Sequence, residues 1–337
     1  MIGARSMGHC SDFAQYIFHG NARLATDQLD TSIFHRKTEK CPSSLYLHGE
    51  YLIWQILESP TKVRANLWMP NLEQVSTDDL KQIRNFDLIL CKTHITCTAF
   101  DKYLQHHNFT SPKTVFMSHS SPDTYQTAIQ HLGDHTVKSR KRDYNKFFHV
   151  YGGSGRKSTV ELVNCWQRHR TWPTLTIVGH HDKQYFMERF KRIPWNLQVL
   201  GGIPSKQLRE LQLTHGVHIC PSQMEGYGHY INEARALGSL VVTTDYAPMN
   251  EFVEDGVSGI LVNHLKPKAE LNQAMADYFV SPVKLNPEHI CGAMERVMKL
   301  SIKERKAMGM KARRLYEKDN ELMIRNIGRL LDGDFGV

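Results

Sequence analysis

The sequence predicts an α/β protein with two doubly wound domains. Short apolar runs alternate with helical stretches, glycine-containing loops follow several of these runs, and the 337 residues exceed the usual size of one hydrophobic core. Near-continuous apolar strands joined by helical crossovers are typical of parallel sheets that are covered on both faces. We therefore expect two domains, each built on a parallel sheet.

Residues 1–146 are predicted to form the N-terminal domain. Three apolar segments are expected to be buried strands and one to be a helix, in the order 62–70, 86–93, 95–107 (the helix) and 113–119. The segment 43–57 is compatible with a strand, a helix, or a strand that turns into a helix. The polar and basic stretch 133–146 has no apolar periodicity, which predicts a linker.

Residues 147–315 are predicted to form the C-terminal domain, and 316–337 a helix and tail that pack back on the N-terminal domain. Six strands are expected, at 146–153, 174–179, 197–202, 216–222, 239–244 and 258–262. Helical segments are expected between them, at 157–169, 182–190, 204–213, 227–237 and 247–254. The last helix is expected over about 302–331, long enough to run back across the molecule.

Two helix starts carry recognisable capping signals. Asn286 followed by Pro287 is a favourable N-cap and first-turn pair. Ser301 with Glu304 matches a capping box.

The composition is that of an ordinary globular protein, with 41% apolar residues and a net charge of +8. The positive balance suits an anionic partner, whether a nucleotide, a nucleic acid, an acidic glycan or a membrane surface. Seven scattered cysteines without a CxxC pair argue against a disulfide framework or a zinc knuckle and favour a reducing compartment. The chain shows no apolar signal core and no apolar run of ~20 residues, which predicts a cytoplasmic protein, with peripheral membrane contact left open.

Three glycine-containing loops follow strands of the C-terminal domain, at 152–159, 201–208 and 223–230. In an open parallel sheet, ligands bind outside the carboxyl ends of the strands. The first loop opens a helix and carries Arg156 and Lys157, a combination that attracts phosphate. Its spacing matches neither the P-loop nor the GxGxxG pattern. A tight turn with surface charges is the alternative.

The third loop places Glu225 before a helix predicted to begin near Gly228. Gly226 and Gly228 leave backbone N–H groups uncovered at the positive end of that helix. Glu233 lies within the helix, where a carboxylate can accept two hydrogen bonds from vicinal hydroxyls such as those of a ribose. In the alternative interpretation, Glu225 caps the helix dipole and Glu233 is solvated.

Residues 216–262 closely resemble the donor-binding half of the retaining glycosyltransferases of family 4, whose two-domain fold is called GT-B. The matching positions are Pro221, Ser222, Glu225, Gly226, Tyr227, Gly228, Glu233, Ala236, Gly238, Glu251, Asp255, Gly256 and Gly259. Upstream, 149–166 is similar to the family's Gly, Ser, Lys-Gly-Thr segment, with Ser158 in place of the usual glycine. The segment 197–208 is similar to its base-binding loop. The resemblance covers about 147–331 well and the first 146 residues poorly.

The resemblance implies two Rossmann-like domains facing a cleft and a sugar transfer, with retention, from a UDP- or GDP-sugar to a hydroxyl of a glycan, glycolipid or glycoprotein. Lys157 with Arg156 would hold the diphosphate, Gly202 and Ile203 the base, Glu233 the ribose, and Glu225 the transferred sugar. The full set of implied donor-binding residues is Ser154, Arg156, Lys157, Gly202, Ile203, Glu225, Gly226, Tyr227, Gly228, His229 and Glu233. No cofactor and no metal are implied, because cationic side chains and helix ends would neutralise the leaving diphosphate.

The N-terminal half departs from the family pattern. It lacks the family's initial apolar strand and glycine-rich turn, so the acceptor domain is predicted to be truncated or divergent. His119 follows an expected strand, where some relatives keep a histidine beside the donor sugar. It is therefore the candidate general base, and an ordinary loop histidine is the alternative.

Other constellations in the sequence carry weaker signals. Asp332 and Asp334 form a DxD, but they follow the last helix rather than a strand, and His180 and His181 fit a polar loop. Nucleic-acid binding is not expected, because the basic stretch 138–146 offers only one aromatic residue. Two alternatives to the glycosyltransferase are a sugar-nucleotide or glycan-binding module with little catalysis and a GT-B epimerase. The oligomeric state stays open.

Overall fold

The computed structural model describes residues 45–48, 65–181, 183–190, 193–265 and 281–336. The chain divides into two compact units. The first contains the described residues up to Pro122 and from Glu321 onward, and the second contains those between Asp123 and Asn320. The first 44 residues, on which the predicted divergence of the acceptor domain depends, and most of 43–57 lie outside the described residues.

Ten strands run through the described residues: β1 Leu45–His48, β2 Ala65–Trp68, β3 Leu88–Cys91, β4 Lys113–Phe116, β5 Asp143–Gly152, β6 Leu175–Gly179, β7 Leu197–Leu200, β8 His215–Cys220, β9 Leu240–Thr244 and β10 Gly259–Val262. The α-helices of the same residues are α1 Thr77–Lys81, α2 His94–His106, α3 Thr124–Leu132, α4 Asp134–Ser139, α5 Thr159–Arg168, α6 Lys183–Phe190, α7 Ser205–Thr214, α8 His229–Leu237, α9 Pro287–Lys299 and α10 Ile302–Asp332. The segment 43–57, left open above, contains the strand β1.

The first unit is built on a parallel sheet in which β1, β2, β3 and β4 follow one another in chain order. Its core packs strand residues such as Leu67 and Leu88 against Met323 and Ile327 near the end of α10. The last turns of this helix are therefore part of the first unit's core.

The second unit is built on a six-stranded parallel sheet in the order β10-β9-β8-β5-β6-β7. Chain order runs outward from β5 to β7 and then returns to β8 on the other side of β5, so the direction of winding reverses between β5 and β8. Phe147, Trp166 and Val217 are fully buried in the core beneath this sheet. Such burial is what near-continuous apolar strands predict.

Both capping signals are confirmed. Asn286 is the N-cap of α9, and its side chain and that of His289 complete a capping box. Before α10, the backbone N–H of Glu304 donates to Ser301 Oγ, and the Ser301 N–H donates to the Glu304 carboxylate.

Two predicted segments differ from the observed structure. The stretch 133–146 contains α4 and the start of β5 rather than a linker, because buried Val137 packs against Leu213 and Leu237 of the same unit. One buried valine per short helix gives no periodicity that a sequence pattern can reveal. The helix expected at 247–254 is the single 3-10 turn Met249–Phe252, after which the chain is extended at Val253.

The prediction against disulfides is wrong. Cys91 and Cys97 form one disulfide, and Cys165 and Cys291 form another with their Cα atoms 5.5 Å apart. The second pair joins α5 and α9, which are 126 residues apart in sequence at the bonded positions and neighbours in the core. Spacing along the chain does not reveal such a pair. Cys220 is buried and not bonded to another cysteine.

Candidate functional site

The candidate site lies at the carboxyl ends of β5 and β8, where the winding of the second sheet reverses. In open α/β sheets this is the position at which a crevice forms for ligands. The loop after β5 contains the 3-10 turn Gly155–Lys157, and the loop after β8 contains Glu225. The backbone N–H of Gln223 donates to the carbonyl of Arg156 at 2.8 Å, so the two loops are joined directly.

Lys157 and Glu225 form an ion pair at the centre of the site. Their side chains are 16% and 12% exposed, so both charges are largely withdrawn from water. Ser222 Oγ donates to the same Glu225 oxygen, Oε1, that Lys157 binds. The Lys157 ammonium also lies 3.8 Å from the centre of the Tyr230 ring. An ammonium and a carboxylate are thus held together at the carboxyl ends of two neighbouring strands, where a polar ligand could contact them.

Unusual backbone conformations shape both loops. Ser158, which ends the turn and precedes α5, has a left-handed conformation with φ 47°. This conformation gives a physical reason for the glycine that the resemblance expects at the position. Gly228 precedes α8 with φ 94°, and a Cβ there would also meet Ile231 at 3.1 Å. Ser154 caps the 3-10 turn by accepting from the Arg156 N–H at 3.3 Å.

His149 supports the site from below, on β5. Its Nδ1 lies 2.8 Å from the Ile219 carbonyl oxygen, so Nδ1 carries the proton and Nε2 accepts from the Thr159 hydroxyl at 2.9 Å. Burial lowers the pKa of His149 to about 4 despite its bond to Ile219, and nearby Lys157 lowers it further. The neutral imidazole therefore ties β8 to the first residue of α5, beside the site.

Glu233 lies in α8 and is oriented by α7. Gln212 Nε2 donates to Glu233 Oε2 at 2.9 Å, while the Gln212 amide oxygen accepts from Arg209 at 2.7 Å. Arg209 is also 3.8 Å from Glu233 Oε2. Because Arg209 fixes the amide orientation of Gln212, the N–H₂ group of Gln212 faces the carboxylate. One oxygen of Glu233 is thereby held, in a side chain that is 26% exposed.

The other predicted donor residues have diverse surroundings. Gly226, Tyr227 and Gly228 are buried, and the Tyr227 ring packs edge-on against Phe252 at 5.1 Å. Tyr227 is therefore a core side chain, and what the loop presents there is its backbone. Half-buried His229 begins α8, whose N-terminus has no side-chain cap among the described residues.

Arg156 and the base-loop residues lie in more open positions. Ser154 and Arg156 are exposed in the turn after β5. Gly202 is exposed and Ile203 half-buried in the loop after β7, the edge strand. β7 lies two strands from β5, or about 10 Å at the usual strand spacing.

His119 lies in the first unit, three residues after the end of β4, and its side chain is buried. The structure therefore places it after a strand, as predicted. Its catalytic role stays a prediction.

Sequence reasoning missed several residues of the site. His149 interrupts an otherwise apolar strand, Gln212 is a buried polar residue in a helix, and Tyr230 reads as part of an apolar helix face. The polar side chain within the apolar run 147–151 was the one signal that pointed to His149.

Groups that could ligate a metal lie elsewhere. Among the described residues, Cys165, His169 and Cys291 bring three ligand atoms within 4.8 Å, but the two sulfurs are bonded to each other. Asp334 of the DxD pairs with Arg329 at 3.2 Å on the surface.

The comparison with family models shows which family part of this site resembles. Residues 166–284 match the model described as Glycosyl transferases group 1. The match covers about a third of the chain, and this region is similar to a glycosyl transferases group 1 domain. It includes Glu225 and Glu233, while Lys157 precedes the matched span. No curated protein matches the chain in sequence.

Solved structures share the fold at low sequence identity. A glycosyltransferase from Rickettsia africae superposes with a TM-score of 0.64 at 14% identity, over 89% of this chain and 79% of that one. The α,α-trehalose 6-phosphate synthase of Burkholderia multivorans has a TM-score of 0.61 at 15% identity, over 88% and 71%. An Anabaena protein solved with UDP and glucose has a TM-score of 0.52 at 16% identity, over 79% and 71%.

These comparisons confirm the predicted fold class, α/β with parallel sheets as in the GT-B glycosyltransferases. Among the described helices, none combines the length and the apolarity that crossing a membrane requires.

Proposed function

We propose that the protein transfers a sugar, with retention of configuration, from a nucleotide-diphosphate sugar to an acceptor hydroxyl. The observation that carries this proposal is the ion pair of Lys157 and Glu225 at the reversal between β5 and β8, with Glu225 inside the region that is similar to the glycosyl transferases group 1 family. Membership of family 4 and retention rest on the resemblance of the three loops.

The diphosphate of the donor would bind where the site is cationic. Lys157 and exposed Arg156 supply positive charge, and the N-terminus of α8 supplies the backbone N–H groups of Gly228 and His229. A bound diphosphate would compete with Glu225 for the Lys157 ammonium. These groups would neutralise the leaving diphosphate without a metal.

The ribose and the base would extend away from the diphosphate. Since the described contacts of Glu233 go to Oε2, its other oxygen is left to accept from the ribose hydroxyls. Gly202 and Ile203, after β7, are proposed to present backbone groups to a uracil or guanine. The Anabaena neighbour, solved with UDP and glucose, supports a uridine nucleotide as the first donor to test.

Glu225 is proposed to act at the transferred sugar. As the bond between the anomeric carbon and the diphosphate oxygen breaks, positive charge develops on that carbon, and a carboxylate beside it stabilises the charge. The acceptor oxygen then bonds to the carbon on the same face, and its proton leaves to a base. His119 is the residue we propose for that base.

The proposal is tested by assaying transfer and donor hydrolysis over a panel of UDP- and GDP-sugars. Glu225→Ala and the isosteric Glu225→Gln should lower kcat by about 100-fold or more, the usual cost of losing one electrostatic stabiliser of a transition state. Donor affinity by calorimetry should not fall, because each variant removes the carboxylate that competes with the diphosphate for the Lys157 ammonium. Equal activity of the wild type and both variants would refute the role of Glu225.

Two further variants separate binding from chemistry. Glu233→Ala should mainly weaken donor binding, because it removes contacts that are made equally in the ground and transition states. His119→Asn should lower kcat with little change in donor affinity. An unchanged kcat in His119→Asn would show that His119 is not the base, without affecting the role proposed for Glu225.

A binding module with little catalysis is the second candidate. The observation in its favour is that Lys157 and Glu225 neutralise each other, which leaves no isolated charge at the centre of the site. Tight donor binding in calorimetry without turnover on any acceptor would favour this candidate. For location, we propose the cytoplasm with peripheral membrane contact, consistent with the net charge of +8.

A further inference from the structure

The ion pair and two neighbouring side chains, Ser222 and Tyr230, form a closed circuit of contacts. Lys157 and Ser222 both bind Glu225 Oε1, and the Tyr230 hydroxyl lies 2.5 Å from Ser222 Oγ. The ring of Tyr230 in turn lies under the Lys157 ammonium at 3.8 Å. Tyr230 therefore reaches the carboxylate through Ser222 and the ammonium through its own ring.

The direction of the hydrogen bonds in this circuit follows from the donor groups. The Ser222 hydroxyl has one proton, and it goes to the Glu225 carboxylate, which only accepts. Ser222 Oγ must then accept from the Tyr230 hydroxyl. Burial, with Cys220 and Glu225 nearby, raises the pKa of Tyr230 well above its usual value, so the phenol keeps the proton that it donates.

These hydrogen bonds occupy one carboxylate oxygen of Glu225 and not the other. Ser222 is fully buried and its carbonyl oxygen accepts from the Thr244 hydroxyl, so it has little freedom to move. Within the described residues, the polar contacts of Glu225 all go to Oε1. Oε2 is therefore the oxygen presented to a ligand.

We infer that Tyr230 is a positioning residue for sugar transfer: its hydroxyl orients Glu225 through Ser222, and its ring holds Lys157 at the diphosphate. This inference rests on the proposed function. Tyr230 is not among the positions that carry the family resemblance.

The two actions of Tyr230 can be separated by substitution. Tyr230→Phe removes the hydroxyl and keeps the ring, so kcat for transfer from the active donor should fall about five- to tenfold, as for the loss of one buried hydrogen bond. KM for the donor should stay within about twofold. Tyr230→Leu also removes the ring, so the affinity for UDP should fall in addition, by about fivefold.

Two controls distinguish positioning from a merely structural role. Tyr246→Phe is the matched control, because Tyr246 packs against the same hydrophobic cluster as Tyr230 and has no described contact with Lys157, Ser222 or Glu225. Ser222→Ala should lower kcat as Tyr230→Phe does. The kcat of the double variant Ser222→Ala/Tyr230→Phe should fall no further than that of either single variant, because both substitutions interrupt the same series of hydrogen bonds.

The results also separate this inference from the proposed function. If the wild type transfers sugar and Tyr230→Phe matches it in kcat, or if the two losses simply add, the positioning role is overturned and the transferase stands. If the wild type neither binds UDP or GDP nor turns over any donor of the panel, the proposed function fails and the inference fails with it.

Discussion

The two parallel sheets differ in how the chain winds through them. In the first unit, the described strands follow chain order from β1 to β4 without a reversal. In the second unit, β5 has β6 on one side and β8 on the other, and the loops that leave β5 and β8 carry Lys157 and Glu225. At a reversal, successive crossovers depart to opposite faces, which opens a crevice between adjacent loops. The difference teaches that strand order, more than glycine content, locates the site.

The second sheet also contains two buried histidines. We expect their protonation in acid to have the largest effect, a loss of folding stability. His149 and His218 are buried, and burial lowers their pKa values to about 4 and about 3 from an unfolded value of 6.5. At a pH between the folded and the unfolded pKa of each histidine, the unfolded chain binds a proton that the folded protein does not. Stability is therefore complete above pH 6.5 and falls as the pH drops, by about 2 kcal/mol per histidine at pH 5.

Urea unfolding at pH 7 and pH 5 measures this loss. His218→Gln keeps an N–H donor toward the carbonyls of Gln212 and His215 but does not titrate, so it should show a smaller difference between the two pH values. An identical difference in the variant would mean that His218 does not contribute to the acid sensitivity.

The second prediction concerns donor affinity and compares one lysine from each sheet. Lys157→Met should weaken binding of UDP by about 10- to 100-fold, because a charge-assisted hydrogen bond to phosphate contributes about 1.5 to 3 kcal/mol. Lys113→Met changes an exposed lysine at the start of β4 and should leave the affinity unchanged. Calorimetry checks both. An equal loss in the two variants would indicate a general charge effect rather than a site at the reversal.

The third prediction compares the parts of α10 that belong to the two units. Gly309 is buried in the second unit's part, where a Cβ would lie 2.3 Å from the carbonyl oxygen of Gly238. Gly309→Ala should therefore destabilise the protein by about 1 to 3 kcal/mol, the usual cost of overpacking. Chemical unfolding monitored by circular dichroism measures it. A stability equal to that of the wild type would show that the helix can move away at little cost.

The smallest effect is expected at the other end of the same helix. Gly328 is exposed, and a Cβ there would meet no atom within 4 Å. Gly328→Ala should stabilise the protein by about 0.5 to 1 kcal/mol, because alanine loses less backbone freedom in a helix. The same unfolding assay applies, and a loss of stability would contradict the open surroundings described for this position.

Much of the second unit follows from local sequence signals. The apolar runs of β6, β8 and β9, the Asn286 N-cap and the Ser301 capping box act over a few residues, so they can be recognised one at a time. The placement of Glu225 before α8 follows in the same way, from two glycines ahead of an amphipathic helix. The family resemblance also predicts that the three glycine-containing loops belong to one site.

Other features depend on contacts between distant parts of the chain. The helix α4, the disulfide between Cys165 and Cys291, and the contact of Gln212 with Glu233 each require a partner that sequence spacing does not reveal.

By itself, then, the sequence determined the alternating strands and helices, the three glycine loops and the residue types that a sugar nucleotide would need. The tertiary structure alone decided that Lys157 and Glu225 bind each other, that Gln212 orients Glu233, and that Tyr230 joins the ion pair through Ser222. The physical reason is that backbone propensity and amphipathic periodicity are local, whereas the partner of a buried charge or hydroxyl is chosen by packing.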